Sequence, residues 1–131
     1  MNIIRKILMG IVAVLILIGL VIGGIKIMQQ VQYNEMVNTV KSEEVKNIIE
    51  NNLKLRHEGA LESGDVIQSY QIDFDSIKHS PMGGIIFKVY INNDKQLYVH
   101  FLINKDLNSG KLVNEGGGTS QKFRELITAN K

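Results

Sequence analysis

The chain has 131 residues, 15 basic against 13 acidic for a formal net charge of +2, and neither cysteine nor tryptophan. The lack of cysteine excludes disulfides, thiolate zinc sites and a cysteine nucleophile. Setting aside Arg5, Lys6 and Lys26, which flank one apolar run, leaves 12 basic against 13 acidic residues with the signs interspersed. That pattern carries neither a nucleic-acid footprint nor a polybasic lipid patch, and no nucleic-acid partner is expected.

Ile7 to Ile25 is an uncharged run of 19 residues. As a helix it would span roughly 28 Å, close to the hydrocarbon thickness of a bilayer. A cleaved signal has a shorter apolar region of ~7–15 residues and ends in a small-x-small site. This run instead exits through Val21-Ile22-Gly23-Gly24-Ile25-Lys26. An uncleaved anchor holding the lipid bilayer through residues 7–25 is therefore expected over a signal peptide. Arg5 and Lys6 on the near side against Lys26 on the far side place the N-terminus in the cytoplasm by the positive-inside bias. Gly19 and Gly23 have the small-xxx-small spacing that lets two membrane helices approach, the sequence basis for a homodimer. The expected organisation is a cytoplasmic tip and transmembrane anchor over 1–26, a helical linker over 27–41 that frays towards its end, and an extracytoplasmic domain over 42–131. With no disulfide, that domain must rely on its own small core.

Ser42-Glu43-Glu44 predicts a fresh helix start, a hydroxyl cap followed by acids at the positive end of the dipole. At 100° per residue Val45, Ile48, Ile49, Leu53 and Leu55 share one arc, with Lys46, Glu50, Lys54 and Glu58 opposite. Asn52 falls near the middle of the apolar arc, where its amide needs a partner, expected on the sheet or a neighbouring loop. Gly59 is placed to close this helix in a left-handed conformation.

From Val66 the period changes to two, predicting three antiparallel strands. Tyr70, Ile72 and Phe74 alternate with Ser69, Gln71 and Asp73. Ile85, Phe87, Val89 and Ile91 alternate with Ile86, Lys88 and Tyr90. Leu97, Val99, Phe101 and Ile103 alternate with Tyr98, His100 and Leu102. For the odd apolar residues of the last two strands to share a face, paired numbers must sum to an even value. That parity implies a three- or five-residue loop. We take Tyr90 opposite Tyr98 and Lys88 opposite His100. A weaker fourth strand is expected over Lys111 to Asn114, then a flexible joint at Gly116-Gly117-Gly118. Thr119 or Ser120 should cap a last helix reaching about Ala129, with Phe123, Leu126 and Ile127 inward. The fold class is α+β: an N-terminal transmembrane helix, an amphipathic helix packed on a three- to four-stranded antiparallel sheet, and a short C-terminal helix.

Lys41-Ser42-Glu43-Glu44, Val66-Ile67-Gln68-Ser69-Tyr70, Ser80-Pro81-Met82-Gly83-Gly84, Asn92-Asn93-Asp94-Lys95 and Ser109-Gly110-Lys111 with the glycine triplet resemble a family of short membrane-anchored proteins of low-GC Gram-positive bacteria. That family is catalogued as a domain of unknown function. The resemblance covers nearly the whole chain, implies location and membership, and lends no catalytic residues.

His57, His79 and His100 have no local metal-ligand spacing, and Asp73, Asp75 and His79 are the one set that could meet across a turn. Asp75 reads better as the cap of the turn holding Ser76 and Ile77. No Gly-x-Ser-x-Gly or Ser-x-x-Lys motif accompanies the serines. We assign no catalytic residue, metal ligand or cofactor, and expect no enzyme. The candidate binding surface is the second sheet face, bearing Lys88, Tyr90, Tyr98 and His100 with Ser69, Gln71 and Asp73. Aromatic rings beside polar groups suit an envelope protein, peptide or glycan ligand. The C-terminal helix could instead cover this face. The function expected is a membrane-anchored display of a small extracytoplasmic binding domain. The alternatives are an envelope hydrolase joining His79 or His100 to Asp73 or Asp75, and an accessory subunit acting through its membrane helix.

Overall fold

The computed structural model describes residues 2–130. Met1 and Lys131, which bound the expected segments 1–26 and 42–131, lie outside the described residues. In chain order the elements are α1 (Asn2–Val40), α2 (Glu43–Arg56), β1 (Tyr70–His79), β2 (Ile85–Ile91), β3 (Asp94–Lys105), β4 (Leu112–Asn114) and α3 (Gln121–Ala129). The chain divides into two units between Glu35 and Met36.

The first unit is helical and contains the apolar run, in which every large aliphatic side chain is exposed. This helix is long and apolar enough to cross a membrane.

The second unit is α+β, as the alternating pattern predicts. Its four strands form one antiparallel sheet in the order β1-β2-β3-β4. The fraying expected of residues 27–41 does not occur at their C-terminal end: Val40 is 1% exposed, and Met36 is buried one turn before it. Ser42 makes the joint between helices. Its Oγ donates to the Thr39 carbonyl at 2.6 Å and accepts from the Val45 amide at 3.4 Å, so one hydroxyl ends α1 and caps α2. Val45, Ile49 and Leu53 of α2 are fully buried, whereas Leu55, at the edge of the apolar arc, is 87% exposed. Gly59 has φ +89°, but α2 already ends at His57, so the glycine shapes the turn beyond the cap.

Parity governs the sheet. Phe87 pairs Phe101, Val89 pairs Val99, Lys88 pairs His100 and Tyr90 pairs Tyr98, the register read from the alternation. The loop length inferred from it is wrong. Asn92 and Asn93 form a two-residue turn with φ +55° and +58°, the mirror-image geometry that suits hairpins. A register shift on β3 just after the turn restores the even pairing. Asn92 also ties down the lead into β1, which starts at Tyr70. Its Nδ2 donates to the Val66 carbonyl at 2.6 Å, and its Oδ1 accepts from the Gln68 and Ser69 amides.

A second shift interrupts β1 between Asp73 and Lys78. Ile77 becomes the buried residue there, and Phe74, expected inward, is instead 36% exposed under the Lys41 ammonium. Both helices lie on the odd-numbered face. Phe87 and Phe101 stack at 5.4 Å between centroids, and Val89, Ile91, Val99 and Phe123 are fully buried. Leu97 shares a cleft with Lys122 and Leu126 of α3, and His57 Nε2 lies 3.0 Å from the Asn130 carbonyl beyond α3.

The glycine triplet is no loose joint. The carbonyls of Gly116 and Gly118 accept from Leu102 and His100 amides, and Thr119 bridges Val99, so the segment continues the ladder along β3. Ser120 then caps α3, accepting from the amides of Phe123 and, across the sheet, Tyr98.

Candidate functional site

With both helices on the odd face, the even residues of β2 and β3 form a surface of half-buried and exposed side chains. Directly opposed residues point the same way, so the register defines three rows. They are Gln71–Tyr90–Tyr98, Asp73–Lys88–His100 and Lys78–Ile86–Leu102. Lys88 occupies the centre. All four of the residues predicted to line a contact surface, Lys88, Tyr90, Tyr98 and His100, meet here.

Their contacts are mutual. The Lys88 ammonium stands 5.1 Å from the ring centroids of both Tyr90 and Tyr98, a cation held over two π faces. The His100 ring meets Tyr98 edge-on at 5.2 Å. The Tyr90 hydroxyl donates to Asp73 Oδ2 at 2.9 Å, and Lys88 Nζ lies 4.0 Å from the same oxygen. Burial first, then the Lys88 and Lys78 charges, hold the His100 imidazole below its ordinary titration range.

The β1 shift is built on Asp73 and not, as expected, on Asp75. Asp73 Oδ1 accepts from the Asp75 amide at 3.2 Å. The Ser76 hydroxyl donates to the Asp73 carbonyl at 2.6 Å and accepts from the Lys88 amide at 2.8 Å. Two clefts flank this knot. One of about 450 Å³ includes Asp73, Phe74, Asp75, Tyr90 and Lys95. The other, of about 290 Å³, includes Asp75, Ser76, Lys78, Lys88 and His100.

Other candidate groups stay apart. Among the described residues no three His, Asp or Glu side chains converge as metal ligands, and Asp73, Asp75 and His79 do not form such a set. Among the same residues, no hydrogen bond or ion pair joins His79 or His100 to Asp73 or Asp75. His57 contacts Asp65 instead, with Nδ1 3.1 Å from Oδ1 but off the line of a good hydrogen bond. Asn52 finds its partner within α2 and not on the sheet or a loop: its Oδ1 accepts from Arg56 Nε at 2.8 Å, one turn on. Gly19 and Gly23 lie in α1 with open space where their side chains would stand.

A family model described as a protein of unknown function, DUF1310, matches residues 7–126. The chain belongs to the DUF1310 family. No curated protein and no solved structure matches it. The family match spans the apolar helix and the sheet together, so the two units of this chain lie within one family pattern.

Sequence reasoning missed two parts of this surface. Asp73 as the hub of the β1 shift has no signature beyond an aspartate two residues before the amide it accepts. Lys78 joins the face only because three extra residues on β1 reverse its parity.

Proposed function

We propose that this chain is a single-pass membrane protein. Residues 7–25 lie in the bilayer, the N-terminus is cytoplasmic, and the second unit is displayed outside the membrane of a low-GC Gram-positive cell as an interaction domain. Its contact surface is the even-numbered sheet face around Lys88, Tyr90, Tyr98 and His100, and its partner is an envelope protein, peptide or glycan. One observation carries the reading. Both helices lie on the opposite face, yet the aromatic and charged side chains on this one are already fixed by contacts with one another. Such aromatic anchors ringed by polar groups are typical of binding hot spots. The basic flank at Arg5 and Lys6 supports the orientation.

The test uses intact cells expressing the full chain with a C-terminal tag and a photoreactive amino acid at Tyr98 or, separately, at Leu55. External protease should remove the tag while the apolar helix stays in the membrane fraction. Illumination should give a discrete adduct from position 98 and none from position 55. A protected tag would reverse the topology. Equal labelling from both positions would remove the sheet face as the contact surface.

A further inference from the structure

Around the smaller cleft of the open face, basic side chains outnumber carboxylates. Lys88 Nζ is held over two tyrosine rings, and its nearest carboxylate oxygen, at 4.0 Å, is beyond hydrogen-bond distance. That carboxylate is already engaged by the Tyr90 hydroxyl and the Asp75 amide. Lys78 belongs to the neighbouring row on the same side, and His100 lies directly across from Lys88. These three basic side chains border the cleft of about 290 Å³, at the small end of ligand-pocket sizes. Both lysines disfavour the imidazolium of His100, which shows that their positive potential converges on this spot. The opposing charges are Asp73, spent as described, and Asp75, which borders the same cleft from the outer strand and is outnumbered there by the two lysines. The Ser76 hydroxyl is occupied by the Asp73 carbonyl and the Lys88 amide.

We propose that the cleft between Lys78, Lys88 and His100 binds an oxyanion, a phosphate or carboxylate group carried by the ligand of the tyrosine face. The proposal rests on reading that face as the contact surface. Two ammonium groups supply charge-assisted hydrogen bonds to such a group, and the two rings beneath Lys88 Nζ limit where its charge can sit. An anion placed there relieves the repulsion among the three basic groups and favours the protonated form of His100.

The test titrates the full chain, in maltoside micelles, with sodium phosphate or sodium acetate against sodium chloride at matched ionic strength. The imidazole resonances of His57, His79 and His100 are followed by NMR. A saturable shift confined to His100, with its titration midpoint moved upward, is expected for at least one oxyanion and not for chloride. Phosphate alone would indicate a phosphoryl ligand, and acetate alone a carboxylate. Lys78→Gln and Lys88→Gln should each weaken the apparent affinity at least tenfold while the His57 resonance, remote from the cleft, stays in place. Shifts shared by all three histidines, shifts that follow ionic strength only, or saturation that survives both substitutions would overturn the proposal. A flat titration beside a retained Tyr98 adduct removes the ligand class and leaves the contact face standing; a flat titration with no adduct removes both.

Discussion

A β-carbon at Gly117 would overlap the carbonyl oxygen of His100, and the backbone there has φ +141°. Gly117→Ala should therefore destabilise the second unit by about 1–3 kcal/mol. Gly116→Ala, at φ +144° but with open space, should cost less, and Gly118→Ala, with open space and no positive φ, should be within ~0.5 kcal/mol of neutral. Urea unfolding of the full chain in detergent ranks the three. His100 gives a pH prediction. Its folded titration lies below the ordinary 6.5, so the unfolded chain takes up the proton more readily. The stability from this group is complete above about 6.5 and is lost as pH falls through the lower, folded value. Lys88→Gln should move the His100 midpoint upward, read by NMR titration, because it removes one of the charges opposing protonation. Lys88, Tyr90, Tyr98 and His100 could be grouped from the sequence because strand alternation puts even-numbered neighbours on one side. The glycine strip beside His100 was not legible, since three glycines in a row fit a loop as well as a close backbone approach.

The two capping serines separate propensity from context. Ser42 is half-buried and holds α2 through one accepted hydrogen bond, so Ser42→Ala should cost about 1 kcal/mol. Ser120 is 8% exposed and accepts from both Phe123 and Tyr98 amides. Ser120→Ala leaves a part-buried strand amide without this partner as well as an uncapped helix, and should cost about 2 kcal/mol. Comparing the two urea midpoints checks the order. Both helix starts were legible because a cap is a local device. The interruptions of β1 and β3 were not: each adds residues to one strand of a pair, and single-strand alternation carries no trace of a partner's length. This is why the pairing of β2 with β3 could be read correctly while the turn joining them was misjudged.

For the molecule as a whole, the fold begins before its first amphipathic helix. Val40, in the last turn of α1, is as deeply buried as the central strands, so Val40→Ala in the full chain should lower the unfolding free energy of the second unit by about 2 kcal/mol. An unchanged urea midpoint would mean that the unit folds without its preceding turn. The layer order was legible from the switch between helical and alternating periods, but this boundary was not, because the polar stretch from Met28 to Val40 buries only two side chains. The Tyr90 hydroxyl bond to Asp73 makes the two tyrosines, equivalent by pattern, unequal in what they bring to an encounter. The Tyr90 hydroxyl is committed to a carboxylate on folding, whereas among the described residues no such bond restrains the hydroxyl of Tyr98. A partner thus meets two seated rings, one with its hydroxyl already committed and one with a hydroxyl still able to turn, and a series of related ligands should differ mainly in how they hydrogen-bond to Tyr98.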